Sequence, residues 1–174
     1  MRIVLVEPQH PGNVGAVARA MANFGVKDLA LVNGCEINDD GYARSKSGKP
    51  ILENLKRFDT MENALADCDI AIGTSGIKPE GDKRWFRAPK DVKKINELIS
   101  ERENPALVFG RENYGLYREE LALCETTITI PTNPDYPILN LSHSVGIVLY
   151  EIKRKEKVKS PKKRKAVSQE EFER

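Results

Sequence analysis

The sequence predicts an α/β fold with a mostly parallel sheet that carries helices on both of its faces. Short, continuously apolar segments such as "RIVLVE" (2–7) and "PALVFG" (105–110) alternate with longer segments whose apolar residues recur every three or four positions. Strands buried on both faces and separated by helices are typical of parallel sheets. The 174 residues, 40% of them hydrophobic, suffice for one domain with its own core.

The remaining elements follow the same alternation. A first helix is predicted over 11–25, with an apolar face that includes Val14, Val17 and Met21. Glycine, serine and lysine after residue 33 indicate a helix or a loop. Further strands are predicted within 28–33, 51–59, 69–73 and 126–131, and further helices over 61–68, 89–102, 118–124 and 140–155.

Composition excludes several classes of protein. No apolar run reaches the length of a membrane span, and strand-like sequence begins directly at the N-terminus, so we expect a cytoplasmic protein without a membrane partner. Cys35, Cys68 and Cys124 form no close pair along the chain. They are therefore predicted to be reduced thiols rather than disulfides or metal ligands.

The charge of the chain is unevenly distributed. Residues 153–174 hold ten Lys or Arg and four Glu, a net charge of +6, so the remaining 152 residues carry −4 of the overall +2. Such a basic run either contacts a polyanion or is a solvated linker. The closing "SQEEFER" has the spacing of a capped helix start. We therefore expect a domain over 1–155, a basic linker that starts a helical segment over 156–174, and a further C-terminal segment in the natural protein.

The loops that follow the strands are candidate sites, because ligands of parallel sheets bind outside the carboxyl ends of the strands. Gly12 and Gly15 follow the first strand without the G-x-G-x-x-G order of dinucleotide-binding proteins, which leaves an NAD-dependent Rossmann oxidoreductase as an alternative only. Asn13 stands where a helix N-cap is expected, and Arg19 lies four residues after Gly15 on the same face. By themselves, these two residues are more typical of a cap and a surface ion pair.

Three segments together indicate a specific chemistry. They are "NVGAVARAMANFG", "LVFGRENYGL" and "IPTNPDYPILNLSHSVGIVLYE", in this order along the chain. They resemble the three motifs of the SPOUT class of α/β-knotted methyltransferases, and within it the TrmH-type tRNA ribose 2′-O-methyltransferases. The resemblance spans residues 2 to about 155. "RIVLVEPQHPGNVGAVARAM" and "NPDYPILNLSHSVG" are most similar to the TrmJ branch, whose members methylate ribose 32 of the tRNA anticodon loop.

The resemblance implies a fold detail, a cofactor and an oligomeric state. The C-terminal segment would pass through an earlier loop to form a deep trefoil knot, and S-adenosylmethionine would bind among the knot loops. The chain would form a homodimer in which the first and last helices pack across the interface and both chains build each active site; no metal is implied. The implied cofactor-binding residues are Thr74, Ser75, Gly76, Gly110, Glu112, Gly115, Leu116, Ile130, Ile138, Leu139 and Asn140.

The resemblance also assigns catalytic roles, with Arg19 as the central residue and Asn13 and Ser142 beside it. Because a guanidinium stays protonated, we interpret Arg19 as a fixed cation that makes the ribose 2′-hydroxyl more acidic and grips a phosphate. Glu112 would either balance the sulfonium charge or position Arg19. Ile138 stands where bacterial members have a serine, so base preference is the first property to test there.

Two basic segments are candidates for RNA contact. In "KRWFR" (83–87), the tryptophan either stacks on a base between phosphate-binding arginines or anchors a loop on the core. The candidate RNA-binding residues are Arg84, Trp85, Arg87, Lys153 and Arg154.

A non-catalytic RNA-binding domain is a second alternative, but it would not need all three motifs. The preferred hypothesis is an S-adenosylmethionine-dependent ribose 2′-O-methyltransferase that acts on tRNA.

Overall fold

The computed structural model describes residues 1–76 and 88–154. Within these ranges, seven parallel strands form one sheet that has helices on both faces, which confirms the predicted α/β class; the trefoil knot stays a prediction. The elements are β1 (Arg2–Val6), α1 (Pro11–Asn23), β2 (Asp28–Val32), α2 (Asp39–Ser45), α3 (Lys49–Glu53), β3 (Lys56–Phe58), α4 (Met61–Leu65), β4 (Ile70–Ser75), β5 (Lys90–Asp91), α5 (Ile95–Ile99), β6 (Pro105–Phe109), α6 (Arg118–Ala122), β7 (Thr126–Thr129) and α7 (Leu141–Lys153), with short 3-10 turns at Lys46–Gly48 and Val92–Lys94.

The strand order of the sheet is β3-β2-β1-β6-β4-β7-β5. Strand β6 lies between β1 and β4, and β7 lies between β4 and β5, so two late strands are inserted between strands that precede them in sequence. All pairs are parallel, with Arg2 of β1 opposite both Asp28 of β2 and Ala106 of β6. The carboxyl ends of β1, β6, β4 and β7 are therefore neighbours, and the loops with the three motifs start from this edge.

Both faces of the sheet are covered by apolar contacts, because successive strand residues point to opposite sides. Ile3, Leu5 and Phe109 pack on one face with buried residues of α1, α3, α5 and α7. Val4 and Val108 pack on the other face with Met61 of α4 and the loop residue Leu116. This double burial explains why the central strands, such as β1 and β6, appear in the sequence as continuous apolar runs.

One predicted strand occupies only the end of its segment, and one predicted helix is shortened. The strand predicted within 51–59 is confirmed as β3 (Lys56–Phe58), whereas Ile51 and Leu52 lie buried in α3, because Pro50 starts a helix before them. The helix predicted over 89–102 is shorter than expected. Lys90 and Asp91, near its start, form edge strand β5 and pair with β7. Only Ile95–Ile99 form the α-helix, which is α5.

Helix α1 lies unusually close to the segment that follows β2. A Cβ atom added at Gly15 would lie 2.0 Å from the carbonyl oxygen of Gly41 in α2. An added Cβ at Gly48 would lie 2.4 Å from the carbonyl carbon and oxygen of Ala18. Gly15, which lies in one of the loops considered as candidate sites, is therefore needed for the packing of α1 against α2. Among the described residues, no helix has both the length and the apolar character that a membrane span requires.

Candidate active site

A cleft opens at the carboxyl edge of the sheet, between the ends of β4 and β6 and the loop that precedes α7. Nine of the residues predicted to bind the cofactor line it: Thr74, Ser75, Gly76, Gly110, Glu112, Gly115, Leu116, Ile138 and Leu139. The other two lie elsewhere: Asn140 is the N-cap of α7, and Ile130 is partly buried against the core. Sequence reasoning missed further lining residues, namely Phe109, Arg111, Asn113, Tyr114, Leu121 and Leu141.

Glycines bring the backbone of the second motif into a tight turn at this cleft. The N–H of Arg111 donates to the carbonyl oxygen of Gly115 at 3.1 Å, and the N–H of Gly115 donates back at 2.9 Å. Gly115 has a φ of +67°, a conformation that favours glycine. A Cβ added at Gly110 would lie 2.0 Å from the carbonyl carbon of Gly115, so no larger residue fits. The turn therefore presents bare backbone to the cleft.

Arg111 anchors this turn to the rest of the sheet edge. Its buried guanidinium donates to Glu7 at 2.8 Å and to both carboxylate oxygens of Glu120 at 2.9 and 3.0 Å, and it stacks 4.0 Å from the ring centroid of Tyr117. Burial acts to lower the pKa of Arg111, but the hydrogen bonds to Glu120 and Glu7 outweigh it and raise the pKa above its ordinary value. Its position just after the buried strand β6 places Arg111 at this edge of the sheet, but no local sequence signal identifies its partners.

Four polar side chains connect the three motifs, and we call them the polar network (Glu112, Asn13, Asn140 and Ser142). Asn13 Nδ2 donates to Glu112 Oε1 at 3.0 Å, and Asn140 Nδ2 donates to Asn13 Oδ1 at 3.0 Å. Asn140 Oδ1 accepts from the backbone N–H of Ser142 at 2.9 Å and from its Oγ at 2.7 Å. The structure therefore brings Asn13, Ser142 and Asn140 together, as expected for one site.

The direction of every hydrogen bond in the polar network is determined by its two ends. The Glu112 carboxylate can only accept, so the amide nitrogen of Asn13 must face it; the Ser142 backbone N–H can only donate, so the amide oxygen of Asn140 must face that group. Burial raises the pKa of Glu112, but hydrogen bonds from Asn13 and from the backbone N–H groups of Gln9 and His10 leave the pKa below its ordinary value. The carboxylate is therefore charged at neutral pH.

The predicted cap role of Asn13 is wrong. Helix α1 has His10 as its N-cap and Pro11 in its first turn, which places Asn13 inside the helix with its side chain directed to Glu112. Proline is favoured at a first helical position because its φ is already suitable and it has no N–H to satisfy.

Arg19 lies apart from the polar network within one chain. It is exposed and has no hydrogen-bond or ion-pair partner in residues 1–76 and 88–154. It follows Asn13 by six helical residues, which separates the two by about 9 Å along the axis and places them on different faces. Glu112 contacts Asn13 rather than Arg19, so the structure does not show the proposed positioning of Arg19 by Glu112.

The structure describes only two of the candidate RNA-binding residues, Lys153 and Arg154. Arg84, Trp85 and Arg87 lie outside the described residues, as does the tail from 155 onward. Lys153 and Arg154 lie at the far end of α7, about 20 Å from its start, and Arg154 pairs with Glu151 at 2.7 Å. Their contact with RNA stays a prediction.

The three cysteines are free thiols, as predicted. Cys124 lies behind the cleft wall, where an added Cβ at Gly73 would be 3.2 Å from its sulfur. Burial, together with the nearby Glu125 and Glu120, raises the pKa of Cys124 to about 12. Within the described residues, no three His, Cys, Asp or Glu side chains are grouped as metal ligands.

A parallel α/β sheet with a glycine-lined cleft at its carboxyl edge is typical of proteins that bind nucleotides or cofactors. Residues 1–150 match the model of the SpoU rRNA Methylase family. The chain therefore belongs to the SpoU methylase family, which confirms the resemblance drawn from the three motifs.

Individual relatives agree with this membership. The tRNA (cytidine-2′-O-)-methyltransferase TrmJ of Methanocaldococcus jannaschii is 41% identical over 152 residues, which cover 86% of this chain and 66% of the relative. The crystal structure of TrmJ from Z. mobilis ZM4 has a TM-score of 0.81 at 33% identity, covering 88% of this chain and 68% of the other. The chain thus spans about two thirds of the length of these relatives.

A more distant structure shares the fold. The SpoU methyltransferase AviRb from Streptomyces viridochromogenes, solved in complex with the cofactor AdoMet, has a TM-score of 0.70 at 21% identity. The alignment covers 88% of this chain and 59% of AviRb.

Proposed function

We propose that this protein transfers a methyl group from S-adenosylmethionine to the 2′-oxygen of a ribose in tRNA, at nucleotide 32 of the anticodon loop. The polar network carries the proposal, because it joins Asn13, Glu112 and Asn140, one residue from each motif, beside a backbone-lined cleft. The names of the TrmJ relatives support tRNA ribose as the substrate, and the motif resemblance supports nucleotide 32.

The cleft fits a nucleoside cofactor. Backbone groups of Gly110 and Gly115 are accessible without side chains in front of them, which suits recognition of an adenine edge. Leu116 and Leu139 supply apolar surface for the faces of a ring, as does Ile138, whose side chain is half exposed. S-adenosylmethionine bound there supplies an electrophilic methyl group, and Glu112 contributes a carboxylate to a cleft that would receive a sulfonium. The AdoMet complex of AviRb, which has the same fold, supports this choice.

The trefoil knot is part of the proposal. Strand β7 lies between β4 and β5, both of which precede it in sequence, and the loop after β7 packs against the end of β4. An added Cβ at Gly76 would lie 3.3 Å from the carbonyl oxygen of Pro137. A late segment inserted among earlier strands is the arrangement that threading through an earlier loop would produce.

The polar network can hold a ribose for reaction. Ser142 Oγ donates its proton to Asn140, so its lone pairs remain available to accept from a ribose hydroxyl. The amides of Asn13 and Asn140 each have a second N–H without an acceptor in the described part of the chain. These donors would stabilise negative charge that develops on the 2′-oxygen, and their fixed direction avoids reorganisation during the reaction.

A homodimer would complete the site with Arg19. The exposed face of α7 carries Ile147 and Tyr150, which are 37% and 55% exposed, and His143 lies on the same face. Such an apolar face supports packing of a second copy against α7. Arg19 of that copy would then serve as the fixed cation beside the ribose, because Arg19 is exposed and has no partner among the described residues.

The test is incubation of the protein with labelled S-adenosylmethionine and unmodified tRNA, followed by mapping of alkali-resistant linkages, because 2′-O-methylation blocks cleavage at that nucleotide. We expect one resistant linkage, at nucleotide 32. A tRNA with a 2′-deoxy nucleotide at that position is the matched control and should accept no methyl group there. Label on a base, or equal labelling of the deoxy control, would contradict the proposal.

A further inference from the structure

Tyr136 is exposed in a way that the fold does not require. Its side chain is 81% accessible, the largest value among the exposed large hydrophobic residues, and its hydroxyl has no hydrogen-bond partner within residues 1–76 and 88–154. An aromatic ring that contributes so little to the core is available for contact with another molecule.

The backbone around Tyr136 is nevertheless held rigidly. Asn133 accepts twice, at its side-chain oxygen from the N–H of Asp135 at 3.0 Å and at its carbonyl from the N–H of Tyr136 at 3.1 Å. Thr132 Oγ1 donates to the carbonyl oxygen of Pro137 at 3.1 Å, which closes the loop across its base. Pro137 also restricts Tyr136 itself to extended conformations. The ring is therefore presented by a turn whose order exists before any partner binds, which reduces the entropy lost on binding.

This turn lies at the entrance of the cleft. Pro137 contacts Gly76 at the end of β4, and Ile138, two residues after Tyr136, lines the cleft. Asn140 of the polar network follows Tyr136 by four residues, so the two Cα atoms are at most about 14 Å apart. A nucleotide whose ribose lies at Asn140, or its immediate neighbour in the strand, can therefore reach the tyrosine ring with its base.

We infer that Tyr136 is a stacking platform for a nucleobase of the substrate RNA, either the base of the methylated nucleotide or that of its neighbour. This role rests on the proposed function, since it assumes an RNA strand at the cleft. An unpaired base is the partner that fits: it is flat and has an accessible π-face, and loop nucleotides can be splayed out to stack on aromatic side chains. Stacking of this kind tolerates any base, so Tyr136 would contribute affinity and strand position rather than base identity.

The experiment compares Tyr136→Phe, which keeps the ring, with Tyr136→Leu, which keeps apolar bulk without it. Each variant is titrated with an anticodon stem-loop RNA that carries 2-aminopurine at, or next to, the methylated position, whose fluorescence is quenched by stacking. We expect wild type and Tyr136→Phe to quench the probe alike. Tyr136→Leu should lose the quenching and bind about 5- to 100-fold more weakly, the range typical of a lost base–aromatic stack.

Controls separate this role from a structural one. Tyr42→Leu removes an exposed tyrosine of α2 and should change neither the quenching nor the affinity. S-adenosylmethionine affinity and sedimentation should be the same for all variants. Normal RNA affinity and quenching in Tyr136→Leu would overturn the inference, as would a loss confined to dimer formation. Failure of the wild type to methylate tRNA would instead refute the proposed function. Failure of the wild type to bind the stem-loop while it methylates tRNA would refute only the inference on Tyr136.

Discussion

Replacement of Glu112 by glutamine tests whether the direction of the polar network matters for catalysis. The carboxylate accepts from Asn13 at 3.0 Å and from His10 at 3.3 Å through Oε1, and from Gln9 at 3.1 Å through Oε2. Glutamine has the same shape, but one end of its amide can only donate. If that end faces Gln9, one hydrogen bond is lost. If it faces Asn13, it also faces the backbone N–H of His10, and that hydrogen bond is lost. Both asparagine amides must turn over as well, which creates a second mismatch at the backbone N–H of Ser142.

Every orientation of the new side-chain amide in the Glu112→Gln variant therefore leaves at least one donor facing another donor. A hydrogen bond to a charged group contributes about 1.5–3 kcal/mol. Since about 1.4 kcal/mol corresponds to a factor of ten in rate, Glu112→Gln should lower kcat by about 10- to 100-fold if the network acts in the transition state. The measurement is single-turnover methylation of tRNA at saturating S-adenosylmethionine. Glu62→Gln, a change at an exposed glutamate of α4, is the matched control and should leave kcat unchanged.

Cofactor affinity distinguishes the two roles considered for Glu112. If the carboxylate mainly balances the sulfonium charge, Glu112→Gln should weaken binding of S-adenosylmethionine. It should not weaken binding of the product S-adenosylhomocysteine, which has no sulfonium. We expect both affinities to change equally, because the carboxylate is already engaged by three N–H donors. The pKa of Glu112 lies below its ordinary value, so its contribution is present at neutral pH and is lost only as the pH falls through the lowered value. A kcat within twofold of wild type would refute the orienting role.

Three further predictions concern stability and reactivity. Arg111→Met should lower the free energy of unfolding by about 3–5 kcal/mol in urea titrations, because it leaves two carboxylates at the sheet edge without their partner; an unchanged midpoint would contradict the anchoring role. Gly15→Ala should destabilise the protein by about 1–3 kcal/mol, since the new Cβ would lie 2.0 Å from the Gly41 carbonyl oxygen. An unchanged thermal unfolding midpoint would contradict this close packing of α1 and α2. Cys124 should resist alkylation at pH 8.5 in the folded protein but react in urea, because its pKa is raised to about 12; rapid labelling of the folded state would contradict the raised pKa.

Much of the architecture could be predicted because it depends on local patterns. Continuous apolar runs predicted β1, β2, β4 and β6, the segment "TTITIP" predicted β7, and three- and four-residue periodicity predicted α1 and α7. Element boundaries were missed where local patterns are ambiguous. Within the segment predicted to hold β3, the apolar pair Ile51 and Leu52 lies in α3, and the polar residues of β5 are a strand only because β7 lies beside them.

The candidate site was predicted less completely, because its contacts join residues that are far apart in sequence. Glycines and prolines at the ends of buried strands indicated candidate loops, and nine of the eleven cofactor-binding residues that the family resemblance implies line the cleft. The role of Arg111 was not predicted, since its partners lie at Glu7 and Glu120 and no local pattern connects them. Asn13 was mistaken for a cap for the same reason: its partners are 99 and 127 residues away.

The sequence by itself determined which segments become buried strands and helices, since these depend on side-chain polarity within a few residues, and which loops leave the carboxyl ends of the strands. Only the tertiary structure decided which of those loops meet. Insertion of β6 between β1 and β4, and of β7 between β4 and β5, brings the starts of α1 and α7 to the turn after β6. Arg19 lies outside the polar network of its own chain. Six residues of helical rise and rotation separate it from Asn13 and place it on a different face of α1.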